Sequence, residues 1–525
     1  MQQVSGFARF IIVITTVSAA IMELIDTSIV NVALSQISGN LGATIEDTSW
    51  VVTAYAIANV IIIPMTGFLA RYFGRKNYYV ASIILFTVAS YMCGNAGDLN
   101  SLVFWRFVQG IGGGALLSTS QGILFDSFPP QQRPMAAGLF GMGLVIGPTI
   151  GPTLGGFIVD NYSWPLIFDI NIPFGIAATI LAMRFVDKQD WEHHIDRKQI
   201  HIDYLGIALL AIGIASLQYV LERGESDDWF ADGWIRLLSV TAVGGLGAFI
   251  WWELKTEHPV VNLRVLKSRN LVASNILTFV CGFGLFGSVF VFPVMVQRIL
   301  GYTPTEAGLA LVPGALVGLI MMPVIGRSMG KGVPPFFFVV IGFICFILHG
   351  YTSSLATPDA GKDFFIIPQI LRGIGTSCLI VPLIQQAVVG LKPQEMPYGI
   401  ALTNMLRQLG GAFGIAMMNT YITQRYTLHR TDLVSNLQMN SPEMLQRLNL
   451  AQQGMMAKGI DAASATDMGY RMLDGAVTKQ AYLLSYLDGF LVISLFFICA
   501  IPFMFLLSTK KLDSAAQAKV AEESH

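Results

Sequence analysis

Apolar stretches long enough to cross the ~30 Å hydrocarbon core of a bilayer recur along the chain and alternate with short polar connections. They predict helices at residues 10–34, 49–69, 77–95, 101–124, 135–160 and 165–186. A pair follows at 204–222 and 235–254, then six more at 271–296, 305–326, 334–352, 363–387, 399–422 and 484–508. Fourteen spans place both chain ends on the same side. The first run, Phe10–Leu34, reads as a retained span, since no cleavage site followed by a mature domain is apparent. Residues 423–483 are polar and helix-favouring, and Ser441-Pro442-Glu443 reads as a helix start. That stretch is either a solvated loop or an exterior helical hairpin. The expected layout is residues 1–9 as N-terminus, 10–186 as a first six-helix half and 187–203 as a linker. An inserted helix pair at 204–254 and a linker at 255–270 come next. A second six-helix half at 271–508 contains the 423–483 segment, and 509–525 forms a tail whose residues 511–525 read as disordered.

Composition agrees with an all-α integral membrane protein. The chain is 54% hydrophobic and 12% charged, against about 25% charged in soluble proteins. A net charge of −1 and the lack of a basic block give no case for nucleic acid. Five cysteines all fall in apolar runs, so they read as buried small hydrophobes without metal-ligand spacing. Lysine and arginine choose the orientation. Arg71, Arg75, Lys76, Arg184, Lys188, Arg197, Lys198, Lys255, Arg264, Lys267, Arg269, Arg327 and Lys331 fall in connections on the side of the N-terminus. Residues 35–48 and 96–100, on the other side, have neither. The expected orientation is N-in, C-in, with 423–483 long enough to cross despite its charge.

Two short motifs repeat at one offset. Pro130-Gln131-Gln132-Arg133-Pro134 returns as Pro393-Gln394-Glu395-Met396-Pro397, and Gly110-Ile111-Gly112 as Gly373-Ile374-Gly375. This points to duplicated halves flanking the inserted pair, with a substrate cavity between them near the midplane. In the fifth span, Gly143, Gly147, Gly151 and Gly155 line one helix face. That stripe lets a neighbouring helix approach backbone to backbone, while Pro148 and Pro152 remove donors and favour a bend. The stripe is expected to act at the interface where the halves rock.

Ionisable side chains at membrane depth cost several kcal/mol unless paired or wetted, which makes each a functional candidate. Glu23 and Asp26 are three residues apart on the first helix and so share a face. Two such carboxylates do not ionise together cheaply, and one that holds its proton near neutral pH suits a proton carrier. The alternatives are a headgroup position or a polar cap. Arg106 keeps its charge and needs an anion or water; it is either a static tie between helices or a competitor with the proton for a carboxylate. Arg372 and Arg407 are candidates in the second half, as readily satisfied by carbonyls, Asn404 or Gln408. Asn31, Gln109, Gln121, Gln218, Gln369, Gln385, Asn404 and Gln408 either line a cavity or bond between helices. Tyr55, Phe140, Phe283, Phe286 and Phe290 are aromatic contacts for substrate, or core.

The stripe as a whole, Gly143 through Gly147-Pro148 and Gly151-Pro152 to Gly155-Gly156, resembles the fifth-helix antiporter motif of exporters in the major facilitator superfamily. Other segments resemble the fourteen-helix drug:proton antiporter branch, and within it EmrB-type pumps: Leu24–Leu34, Gly67–Lys76, Arg106–Gly112 and Trp164–Gly175. The likeness spans essentially the whole chain. It implies the superfamily fold of two six-helix halves plus two inserted helices, and a bacterial inner (cytoplasmic) membrane location. It also implies export of small hydrophobic or amphipathic compounds, no cofactor beyond protons as coupling ion, and competition of Arg106 with the proton. For 423–483 it implies docking of a periplasmic membrane-fusion adaptor, and with it an outer-membrane channel. In the loop motif of Gly67, Arg71, Gly74 and Arg75, a base stands at position 71 where an acid commonly latches the other half, so any latch is made differently here. Asp169 is an acid where an apolar residue is usual, with no role implied.

The reading is alternating access driven by proton entry, with Asp26 foremost as carrier. One charge moving through 100 mV supplies about 2.3 kcal/mol, enough for about a 50-fold gradient. The runner-up is export of one metabolite, siderophore, peptide or lipid on the same scaffold. A membrane-embedded transferase has only His193, His194 and Asp196 in a polar linker to recommend it, and nothing resembles a channel filter.

Overall fold

The structure, a computed structural model, describes residues 6–187, 202–392, 394–437 and 442–507. His193, His194, Asp196, Pro393, Ser441 and the tail from 508 therefore lie outside the described residues. All of the described regular structure is helical. The long helices are α1 Gly6–Leu41, α2 Trp50–Phe73, α3 Arg75–Gly94, α4 Leu99–Asp126, α5 Arg133–Asn161 and α6 Asn171–Phe185. Then come α7 Tyr204–Arg223, α8 Gly233–Lys255, α9 Arg269–Leu300, α10 Pro304–Gly330, α11 Pro335–Ser353, α12 Ile366–Gln386, α13 Met396–Ser435, α14 Pro442–Met456 and α15 Ala462–Met504.

Each apolar run foreseen from sequence coincides with one of these helices. Among the described residues twelve helices are long and apolar enough to cross a membrane. Three of the named helices lie outside that set: α14, which is short and polar, and α4 and α13, which carry buried Arg106, Gln109 and Gln121, and Asn404 and Arg407. Polar side chains concentrated there dilute the apolar signal. Elsewhere the outward faces are hydrocarbon: Trp234, Leu237, Val240 and Val243 on α8, and Phe174, Ile176 and Ile180 on α6, are exposed. A continuous apolar exterior of this kind marks a surface that meets lipid.

Helix starts follow ordinary capping chemistry. Asp98 accepts from Ser101 N at α4, Asp203 from Gly206 N at α7, and Thr303 with Glu306 forms a capping box on α10. The 423–483 segment is no open loop. α13 runs on to Ser435, α14 starts at Pro442, and α15 begins at Ala462, far before its apolar stretch. Arg425 Nε donates to Asp488 Oδ2 at 2.6 Å, His429 lies 2.8 Å from the same oxygen, and Tyr426 stacks on Tyr482, tying α13 to α15.

The internal repeat is visible in packing. A Cβ on Gly110 meets the Tyr55 carbonyl of α2, and one on Gly112 meets Phe86 of α3. In the second half Gly373 abuts the Gly314 carbonyl of α10, and Gly375 abuts Gly342 and Phe346 of α11. Thus α4 sits on α2 and α3 as α12 sits on α10 and α11. The halves meet where α5 packs on α10 and α2 on α13. Gly138 faces the Met322 carbonyl, Gly326 faces the Pro134 carbonyl, and Gly156 lies against Pro304. The pair α7–α8 packs together through Gly213 and Gly245, with Trp252 Nε1 donating to Asp203 at 2.7 Å. Its connection touches both halves, Arg223 reaching Ser49 at 3.0 Å and Trp229 Nε1 reaching Thr420 at 3.0 Å.

Candidate functional site: two buried polar clusters

The first cluster gathers on α1. Asp26 and Glu23 are both fully buried, but they face different helices. Asp26 Oδ2 accepts from Arg106 Nη1 of α4 at 2.5 Å, and Oδ1 accepts from Gln109 Nε2 and from Asn171 Nδ2 of α6, both at 2.9 Å. Gln109 also donates to Ser90 of α3 at 2.6 Å and accepts from Arg106 at 2.7 Å. Arg106 Nε donates to the Val51 carbonyl at 3.0 Å, its Nη2 has no hydrogen-bond partner, and its guanidinium lies 4.2 Å from the Tyr55 ring centroid. A buried ion pair survives when its remaining hydrogen-bonding capacity is met, and Asp26 has that company.

Glu23 has less of it. Its Oε1 accepts from Asn59 Nδ2 of α2 at 2.9 Å and, at 3.5 Å, from the Tyr55 hydroxyl, while Oε2 has no hydrogen-bond partner. Among the described residues no ion pair involves it. The cation that attracts it is Arg407, on α13 in the other half.

The second cluster joins the halves. Asn404 Nδ2 donates to Ser118 Oγ at 3.1 Å and Gln121 Oε1 at 3.2 Å on α4, and its Oδ1 accepts from Arg407 Nη2 at 2.8 Å. In the second half Arg372 Nε donates to Gln369 Oε1 at 2.7 Å. At the repeat offset Gln369 stands opposite Arg106, and Arg372 opposite Gln109, so the arginine–glutamine pair is kept with its order reversed. Among the described residues no acid pairs with it, and α9 carries neither Asp nor Glu.

Other expected site residues fall elsewhere. Asn31 is exposed and takes no part in either cluster. Phe286 packs on Gly411 in the α9–α13 contact, and Phe283 stacks on Phe496. The glycine stripe requires a correction. A Cβ on Gly147 meets Leu24, on Gly151 Ser28, and on Gly155 Ile29, while Gly143 faces Ile21. The stripe therefore docks α5 on α1 inside the first half, and the face toward α10 and α12 carries Gly138, Gly141 and Gly156 instead. The reason is angular, because residues four apart hold one face and the inter-half contact lies on another. The helix continues through Pro148 and Pro152.

The loop motif joins the halves at the end that carries the N-terminus. Arg75 pairs with Asp126, and Gly67 lies under the Tyr398 ring. The Arg71 side chain lies near the Tyr398 hydroxyl. A phenol on α13 thus receives the base that stands where an acid is usual. Sequence reading missed Asn59, Ser90 and Tyr398 as members of these networks. A polar residue in an apolar helix signals Asn59 and Ser90, but no local pattern signals Tyr398. Asp169 is half-buried beside Gly94.

A duplicated helical bundle with an acid–arginine network in a lipid-facing shell is the architecture of a secondary transporter. Residues 16–415 match the family described as Major Facilitator Superfamily, and the chain belongs to it. It is 35% identical over 484 residues to the multidrug export protein EmrB of Escherichia coli K12, covering 89% of this chain and 92% of that one. It is 34% identical over 495 residues to the fatty acid resistance protein FarB of Neisseria gonorrhoeae, covering 93% and 94%. The fold is similar to the human organic anion transporter MFSD10, with a TM-score of 0.57 at 11% identity, covering 95% of this chain and 99% of that one. The protein is a multi-pass membrane transporter.

Proposed function

We propose that this chain is a proton-driven antiporter of a bacterial inner membrane that exports hydrophobic and amphipathic toxic compounds. It crosses the membrane fourteen times, α4 and α13 being interior spans, with both ends in the cytoplasm. The drug-export and fatty-acid-resistance relatives support this substrate class, and the polar extension of α13, α14 and α15 offers an exterior platform for a membrane-fusion adaptor and an outer-membrane channel. The carrying observation is the unequal company of the two acids. Asp26 is held by three donors, one of them the charged Arg106 guanidinium, whereas Glu23 has two neutral donors, an unpartnered oxygen and no ion pair. Glu23 is therefore the proton carrier, and Asp26–Arg106 the fixed support that orients α1. Protonated, Glu23 loses its attraction to Arg407 and lets the halves part; deprotonated, it draws them together. Substrate seated between Glu23, Gln121, Asn404 and Arg407 competes with the proton.

The test is proton release from purified protein on adding candidate amphiphiles. Release by wild type and by Asp26→Asn, lost in Glu23→Gln, supports the assignment. Release that persists in Glu23→Gln but vanishes in a folded Asp26→Asn returns the carrier to Asp26. Absence of release from wild type with every amphiphile tried overturns the antiport reading.

A further inference from the structure

On the flank of the second half, α9, α13 and α15 leave a recess of about 340 Å³. Phe279, Leu406, Phe496 and Phe503 wall it, and Asn275 is its one amide. The recess opens outward, where Cys499 and Phe503 are exposed beside Leu495 and Ile498 on the lipid-facing side of α15. Small-molecule sites begin at about 300 Å³ and are mostly apolar with a few placed polar groups.

Asn275 supplies that group. It is buried, its Oδ1 accepts from Thr403 Oγ1 at 2.7 Å, and its Nδ2 has no hydrogen-bond partner. A buried donor left unpaired among hydrocarbon costs about 1–3 kcal/mol. Thr403 Oγ1 shares its one hydrogen between Asn275 Oδ1 and the Gly399 carbonyl at 2.9 Å, and Asn275 Nδ2 is left to serve a ligand. α13 then carries the recess on one face and the interior cluster on the other: Thr403 and Leu406 belong to the first, and their neighbours Asn404 and Arg407 to the second.

We infer that this recess is a bilayer-side binding site for a single-chain amphiphile whose tail fills the pocket and whose carbonyl or carboxylate oxygen accepts from Asn275 Nδ2. The occupant is cargo on its way to the transporter's interior, an identity that rests on the export reading above. The volume suits one chain, and the adjacency of Asn275, Thr403 and Asn404 places its polar end next to the helix that holds the central arginine.

The probe is a diazirine-bearing palmitic acid added to purified protein in phosphatidylcholine nanodiscs, with adducts mapped by peptide mass spectrometry. Adducts should concentrate on residues 275–280 and 496–503, be displaced by unlabelled palmitic acid, and fall about fivefold in Asn275→Leu, the equivalent of about 1 kcal/mol. Ala500→Trp, which fills the pocket, should abolish them, its folding checked by an unchanged thermal midpoint. Adducts scattered over the lipid face, or unaltered in both variants, overturn the site. A photoreactive phosphatidylcholine that labels the same peptides and resists palmitic acid makes the occupant a resident lipid and overturns the cargo assignment. Parallel efflux assays separate the two readings: wild-type export without the mapped adducts removes the recess alone, and adducts without export of any amphiphile remove the function proposed above.

Discussion

Glu23 and Arg407 stand on opposite halves and attract one another, yet no ion pair joins them. Asn59 and Tyr55 hold the acid on one side, and Asn404 holds the base on the other. On the proposed cycle, this gap is what protonation of Glu23 regulates. Arg407→Gln is expected to slow proton-driven efflux in liposomes about tenfold, equivalent to about 1.4 kcal/mol in a barrier, with Arg407→Lys retaining more. Equal rates in wild type and Arg407→Gln would remove Arg407 from the cycle.

The Asp26–Arg106 pair makes a different prediction, about stability. Removing one partner strands a buried charge, at a cost of about 3–5 kcal/mol. Arg106→Met should therefore unfold at a markedly lower temperature in detergent than wild type. Asp26→Asn combined with Arg106→Met should recover part of that loss. A double variant less stable than Arg106→Met alone contradicts the assignment of the pair as structural support.

Close packing of α5 on α1 leaves no room for side chains along the stripe. Overpacking a tight contact costs about 1–3 kcal/mol. Gly147→Val should lower the folded yield and thermal midpoint, since its Cβ lands on Leu24. Gly247→Val, where nothing lies within 4 Å, is the matched control and should leave both unchanged.

Closure at the N-terminal end depends on Tyr398 lying over Gly67 and meeting Arg71. Tyr398→Ala should expose that end. In a Cys499→Ser background, a Thr66→Cys reporter, buried here, should react faster with a water-soluble maleimide once Tyr398 is truncated. An unchanged labelling rate would show that other contacts close it.

Much of this architecture is written in local pattern. Apolar runs announce the long helices because a bilayer demands about 20 apolar residues per span, and mid-helix charges single out Glu23, Asp26 and Arg106. The helical extensions of α13 and α15 were open in the sequence because polar helices outside lipid lack that constraint. Partners were harder still. The glycine stripe states that something approaches closely, but not that α1 does so. Asp26 is recognisable as a candidate, while its capture by Asn171 joins residues far apart in the chain. Tyr398 carries no signature at all, because a tyrosine at a helix start is ordinary until Arg71 arrives from the other half.

The reversed arginine–glutamine pair has a consequence for how such a duplicated molecule divides its labour. Arg106–Gln109 holds the Asp26 carboxyl, with Glu23 three residues away on the same helix, and Gln369–Arg372 bonds no carboxyl among the described residues. One copy has kept chemistry that can change its charge; the other holds a charge that stays fixed. A device whose two arms were electrically alike would have no preferred partner for a proton, whereas on the proposed cycle only one arm is switched and the other serves as its constant reference.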